Sequence, residues 1–295
     1  MLTNRMFFIL ALSMFCVIDC KTTTTKIHKT HKTLEILKVM TYNIRLDVAS
    51  DGTNAWPKSC VFLSSQILFY GPDIMGIQEA LPNQITDLKS ELTNYRCIGK
   101  GREGNGQGEF SAIFYNAKKL EVLDEATFWL SETPNPVFRG WDATYRRVCA
   151  YVSFKSLKSD AKFWVFNTHL DHVGTEARLK GMQLILEKIQ EVNINNLPVV
   201  LTGDFNVESD SELILKLKER MNDSKELADI VFGQDGTFNG FNAKKPATRR
   251  IDYIMVSQSS GLKVNKYAVL LSSVNLKYPS DHFPVYVELK VNSIL

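Results

Sequence analysis

Residues Leu197–Asp210 read LPVVLTGDFNVESD, an apolar run that stops at Gly203 and delivers Asp204 and Asn206 two positions apart. A short β-branched run bounded by turn formers predicts a buried strand. Polar groups at the end of that strand have two readings. Gly-Asp-Phe-Asn makes an ordinary turn, because Asp and Asn bond their own backbone. The same side chains can equally be chemical groups carried out of the core. What the other strands deliver decides between these readings.

Strand-like runs recur as ILKVMTYNI (36–44), IMGIQE (74–79), YRCIGKG (95–101), FSAIFYN (110–116), RVCAYVSF (147–154), KFWVFNTHL (162–170), RIDYIMVS (250–257) and FPVYVELKV (283–291). Helical spacing is clearest in TEARLKGMQLILEKIQEV (175–192), with further candidates in AWPKSCVFLSSQILFYG (55–71) and DSELILKLKERM (210–221). Many short strands with a few interspersed helices predict an α/β sandwich, two mixed β-sheets packed face to face with helices outside.

The strand boundaries repeat the pattern of the first stretch. Asn43 ends one run, Glu79 another and His169 a third; Asp252 begins one, and Asp281 and His282 precede the last. Each has a bland reading as a turn or helix-terminal residue. Together they are hard to explain that way, because half-buried carboxylates are costly unless they share a cation or other partner. Asn43, Glu79 and Asp281 offer oxygen ligands that suit Mg2+ or Mn2+ better than zinc. His169 and His282 can bind phosphate oxygens or move protons, and Asp252 can hold an imidazole in one tautomer. The chemistry implied is metal-assisted attack of water on phosphorus.

In this order, TYNIR, IQE, NTHLD, GDFN, RIDYI and SDHFPV resemble the motifs of the endonuclease/exonuclease/phosphatase superfamily, from about Val39 to Val287. The resemblance implies a four-layered α/β sandwich with the site at one end of the sheets. It makes Glu79 the principal metal ligand, supported by Asn43 and Asp281. Asp204 would orient or deprotonate the attacking water, and Asn206 would contact the phosphate or the nucleophile. His282, steadied by Asp252, would offset charge on the phosphoryl group, and His169 would bind a phosphate oxygen. The segments GREGNGQGEFSAIFYN, TFWLSETPNP, GWDATYRRVCAYV and NTHLDHVGTEAR resemble a subgroup of secreted bacterial hydrolases with nocturnin-like features. That likeness adds Arg102, Tyr115, Arg147 and His172 as substrate contacts.

With 295 residues, 44% hydrophobic and 23% charged, the chain has an ordinary globular composition, and its net charge of +3 gives little grip on nucleic acid. Arg5 followed by the apolar run Met6–Ile18 predicts a signal peptide over residues 1–20. A polar Thr/Lys/His-rich leader over 21–35 and one domain over 36–295 follow. Cleavage near Cys20 leaves Cys60, Cys97 and Cys149, either as one disulfide with a free thiol or as three thiols.

The expectation is a secreted, monomeric, Mg2+-dependent phosphoester hydrolase of nuclease or phosphodiesterase type. Its partner would be a nucleic acid, nucleotide or phospholipid headgroup, without stable membrane insertion. A sphingomyelinase or phosphoinositide phosphatase, with TFWLSETP (127–134) as a membrane-dipping loop, is one alternative. An inactive binding protein of the same fold is the other.

Overall fold

A computed structural model describes residues 34–258 and 261–292. The expected signal peptide and most of the leader lie outside the described residues. Two mixed sheets form the centre. The first has seven strands in the order β10-β12-β13-β1-β2-β4-β3, and the second has six in the order β5-β6-β7-β8-β11-β9. In chain order these are β1 (Leu34–Asn43), β2 (Ile74–Ala80), β3 (Tyr95–Ile98), β4 (Phe110–Asn116), β5 (Leu120–Trp129), β6 (Val148–Ser156), β7 (Lys162–His169), β8 (Val199–Asp204), β9 (Met221–Asp223), β10 (Ile230–Phe232), β11 (Asp252–Ser257), β12 (Leu262–Val269) and β13 (Val285–Asn292). The helices are α1 (Trp56–Tyr70), α2 (Pro82–Glu91), α3 (Thr175–Val192), α4 (Glu212–Lys218) and the single turn α5 (Ser224–Leu227).

Three apolar clusters give the layers. Val39, Ile113, Val152, Val165, Ile254 and Val287 pack between the sheets. Leu63 and Ile67 of α1 and Ile85 and Leu88 of α2 cover the outer face of the first sheet. Met182 and Ile185 of α3 and Leu213, Ile214 and Leu217 of α4 cover the second. The expected α/β sandwich is therefore present, helices outside two facing sheets.

Several expectations change. Leu34 and Glu35 belong to β1 rather than to the leader, and Glu35 Oε2 accepts hydrogen bonds from Ser156 and Ser159, each 2.5 Å away. Strand β5 escapes the sequence reading because its outer face is solvated, with Glu121, Asp124 and Glu125 among its residues. The segment 127–134 does not present its large apolar side chains as a membrane-dipping loop would, since Phe128 and Leu130 are buried in the cluster under α3 and Trp129 is buried too. Cys60, Cys97 and Cys149 are three free thiols, and burial pushes Cys97 up to about 12. None of the described helices is long and apolar enough to cross a membrane.

Below the strand ends a polar cluster joins the sheets. Asn167 Oδ1 accepts from Gln78 Nε2 at 2.7 Å and from Thr202 Oγ1 at 3.0 Å. Gly76 makes this approach possible, because a Cβ there would overlap Thr202 Oγ1 and stand 2.5 Å from Asn167 Oδ1. The substitution Gly76→Ala is expected to cost about 3 kcal/mol or more through overpacking and a broken buried network. Urea denaturation reads this directly, and an unchanged midpoint would refute it.

Candidate active site

The register of the sheets brings the polar strand ends together. Asn43 of β1 lies opposite Gln78 of β2 in the first sheet. In the second, Asp204 lies opposite His169 on β7 and Asp252 on β11. Asp281 and His282 enter from the segment before β13. That segment is fixed by Ser280, whose Oγ donates to Asn43 O at 2.7 Å, and by Asn239 and Gly240, whose N–H groups donate to Asp281 O.

Two backbone devices aim the carboxylates. The β2–β4 ladder is irregular between Ile77 and Ala80, and Glu79 sits there with φ 66°. A bulge re-aims a side chain, and a non-glycine residue in the left-handed region costs about 1–3 kcal/mol. At the opening stretch, Asn206 has φ 54° and its N–H donates to Asp204 Oδ1 at 2.9 Å. Both readings of Gly-Asp-Phe-Asn therefore hold, because the turn itself presents the chemical groups. Phe205 anchors it, stacked on Tyr253 at 5.1 Å.

Asp204 is fully buried between two imidazoles, with His169 Nε2 at 3.5 Å and His282 Nε2 at 3.8 Å from Oδ2. Burial and the neighbouring Asp252 push its carboxyl up to about 7, against the opposing pull of His282 and Asn43. Burial disfavours the His282 cation, but Asp252, 2.9 Å from Nδ1, together with Asp204 and Asp281, outweighs it and raises His282 well above the ordinary value. His169 moves the other way, lowered well below its ordinary value by burial and by Arg147. One imidazole is thus a cation and the other neutral. Asn206 Nδ2 donates to His169 Nε2 at 3.0 Å and to Leu170 O at 3.0 Å, which places the His169 proton on Nδ1.

Glu79 accepts from Asn43 Nδ2 at 2.9 Å and from the Leu46 N–H at 3.1 Å, leaving lone pairs on both oxygens. Asp281 is raised by burial and by Glu79 against the pull of His282, and Arg45 Nη1 is 3.7 Å from its Oδ2. Hard oxygen donors side by side, with the charge of Glu79 raising Asp281, fit a divalent cation. Asn43 has a different place from the one expected: it is wholly buried, gives its amide protons to Glu79 and Asp204, and accepts from Arg45 N–H. Asp204, Asp252 and His282 also offer ligand atoms within 4.8 Å of one another and could hold an ion.

Glu79, His169, Asp204, Asn206, Asp281 and His282 open onto a cleft of about 530 Å3, lined also by Arg45, Arg102, Arg147, His172 and Arg249. Three of the four residues expected to meet substrate, Arg102, Arg147 and His172, thus line the cleft. Tyr115 is not among them: it pairs with Ile74 at the far end of β2 and packs on Phe154 in the core. The likeness of GREGNGQGEFSAIFYN suggested a contact that the place of Tyr115 in the strand forbids. Sequence reasoning missed Glu109, Tyr145, Asp171 and Phe238. Glu109 holds Arg102, and Asp171 accepts from the N–H groups of Tyr145, Val173 and Gly174 while facing Arg147. Asp171 was visible as the polar residue inside NTHLDH.

A paired-imidazole carboxylate site at the shared end of two sheets, with a hard-cation donor set beside it, defines a phosphoesterase-type α/β sandwich. Residues 40–282 match the Endonuclease/Exonuclease/phosphatase family, and the chain belongs to it. A mannosyl-6-phosphatase from Bacteroides thetaiotaomicron VPI-5482 is 38% identical, over 86% of this chain and 99% of that one, with a TM-score of 0.81. The human nocturnin catalytic domain shares the fold at 20% identity and a TM-score of 0.69, over 88% of this chain and 96% of that one. An uncharacterised protein of Acanthamoeba polyphaga mimivirus is 32% identical over 46% of this chain. The match spans about half of that relative's length, 54%.

Proposed function

We propose that the protein is a secreted, monomeric, Mg2+-dependent phosphoester hydrolase acting on a compact phosphorylated sugar or similar polyol. The observation that carries the hydrolase reading is the opposite polarisation of His282 and His169 around the buried Asp204. Glu79 and Asp281 are the residues that would hold the cation, with Asn43 orienting Glu79. When bound, it would supply Lewis-acid polarisation of the phosphoryl oxygens and lower the pKa of water.

The chain's own groups do the rest. Ionised Asp204 accepts the proton of the attacking water, and Asn43 and the Asn206 N–H hold that carboxylate in place. Protonated His282 donates to a phosphoryl oxygen where charge develops, with Asp252 keeping Nδ1–H in its hydrogen bond. Asn206 holds His169 in a single tautomer beside the same oxygens.

Compact substrates are favoured over nucleobases because the aromatic rings of the cleft are already engaged. Tyr145 carries Arg102 at 4.6 Å and stacks on His172 at 5.8 Å. Phe238 carries Arg249 at 5.5 Å and meets His282 edge-on at 5.1 Å. The mannosyl-6-phosphatase relative supports the same reading. Purified protein, with Mg2+ and with chelator, should be offered hexose phosphates, nucleotides, single- and double-stranded DNA, RNA, sphingomyelin and a phosphoinositide. Cation-dependent phosphate release from a hexose phosphate is expected. Cleavage of DNA or lipid alone would overturn the substrate class, and silence across the panel from folded protein would favour a binding role.

A further inference from the structure

Two guanidinium groups sit together in the cleft wall with fewer acceptors than they can use. Arg147 is 5% exposed, yet among the described residues its side chain makes only two long contacts: Nε to Asp171 Oδ2 at 3.4 Å and Nη2 to His172 Nδ1 at 3.3 Å. Its Nη1 makes none. Arg102 spends Nη1 and Nη2 on Glu109, at 2.8 Å and 2.7 Å, while its buried Nε makes no hydrogen bond and stands 3.6 Å from Glu103. His169 Nδ1, which carries that ring's proton, is likewise buried without a hydrogen-bond partner. Burial lowers Arg102 from its ordinary value, and Arg147 adds to this against the pull of Glu109.

Arg102 Nε and His169 Nδ1 are buried donors without acceptors, which is costly, and the charge of Arg147 acting on Arg102 adds repulsion. An arriving anion removes both costs. Arg102, Arg147 and His169 line the same cleft as Glu79 and Asp204, so that anion is next to the reacting phosphorus. A phosphomonoester presents three terminal oxygens and a second negative charge. A diester presents two oxygens and must place its second ester chain against these donors, leaving them unpaired.

We propose that Arg147 and Arg102, assisted by His169 Nδ1, read the third terminal oxygen of a phosphomonoester and so determine specificity for monoesters over diesters. This rests on the hydrolase reading above.

The test uses the full chain loaded with Mg2+ and two substrates with one leaving group, p-nitrophenyl phosphate and methyl p-nitrophenyl phosphate. Wild-type protein is expected to favour the monoester in kcat/KM by about 100-fold or more. Arg147→Met is expected to shrink that ratio by about 30-fold and to weaken competitive inhibition by orthophosphate by about 10-fold. Arg147→Lys keeps a cation beside Asp171, which protects the fold, and should lower the ratio in the same direction because an ammonium lacks the planar fork. An active wild type that prefers the diester, or a ratio unmoved in the folded variants, overturns this inference alone. Wild-type protein inactive on both esters overturns the hydrolase reading and this inference with it.

Discussion

Asp204→Asn is expected to lower kcat by about 1,000-fold while leaving the protein more stable than wild type at neutral pH. The loss of rate follows from removing the one carboxylate that lies between the two imidazoles. The gain in stability follows from the same burial. The folded-state pKa is pushed up to about 7 from an ordinary 3.8. Between those values the folded protein keeps a proton that the unfolded chain has released, so wild-type stability falls as pH rises from about 4 to about 7 and then levels off. The Asn side chain cannot ionise and lacks that decline. Urea denaturation in chelator at pH 5 and pH 8 should show the variant's advantage widening toward pH 8, and an equal gap at both would count against it. In wild-type protein, turnover should rise with pH as Asp204 ionises, along a limb that a nearby cation moves to lower pH.

Much of this was legible in the sequence because it follows from strand chemistry. Alternating and continuous apolar runs marked β1, β2, β3, β4, β6, β7, β8, β11 and β13, and the polar residue closing or opening a run reaches the candidate site in most cases. The motif order added the four layers. Strands β5 and β12 were hidden because one is solvated along much of its length and the other alternates charged and apolar residues, as in Lys263, Val264 and Lys266, which a loop can also do. Tyr115 was misplaced because the sequence does not reveal which end of β4 faces the site. Asn43 was read as a ligand from its oxygen, whereas register puts its amide between two carboxylates. Asp171 and Glu109 face the cleft arginines they hold, 24 and seven residues away in sequence, and such ion pairing is not visible in motif order.

Glu79→Gln is expected to abolish turnover, by about 1,000-fold or more, and to remove the stabilisation that Mg2+ gives the wild-type fold. Glutamine keeps the length of the side chain and can still accept from Asn43 Nδ2, but it faces the Leu46 N–H with an amide nitrogen in place of Oε2. That lost hydrogen bond costs about 1 kcal/mol, so the variant folds with a slightly lower Tm in chelator. The discriminating measurement is the shift on adding the ion. At 100-fold excess over Kd a bound cation stabilises by about 2.7 kcal/mol, which wild-type protein should show and the variant should lack. An equal Mg2+-induced rise in both would place the ion instead among Asp204, Asp252 and His282. The geometry argues against that location. His282 Nδ1 is already committed to Asp252 at 2.9 Å, and three neighbouring carboxylates favour a proton on that imidazole, which must leave before a metal can bind there. Glu79, re-aimed at the irregular end of β2 with φ 66°, lines the cleft with lone pairs left on both oxygens.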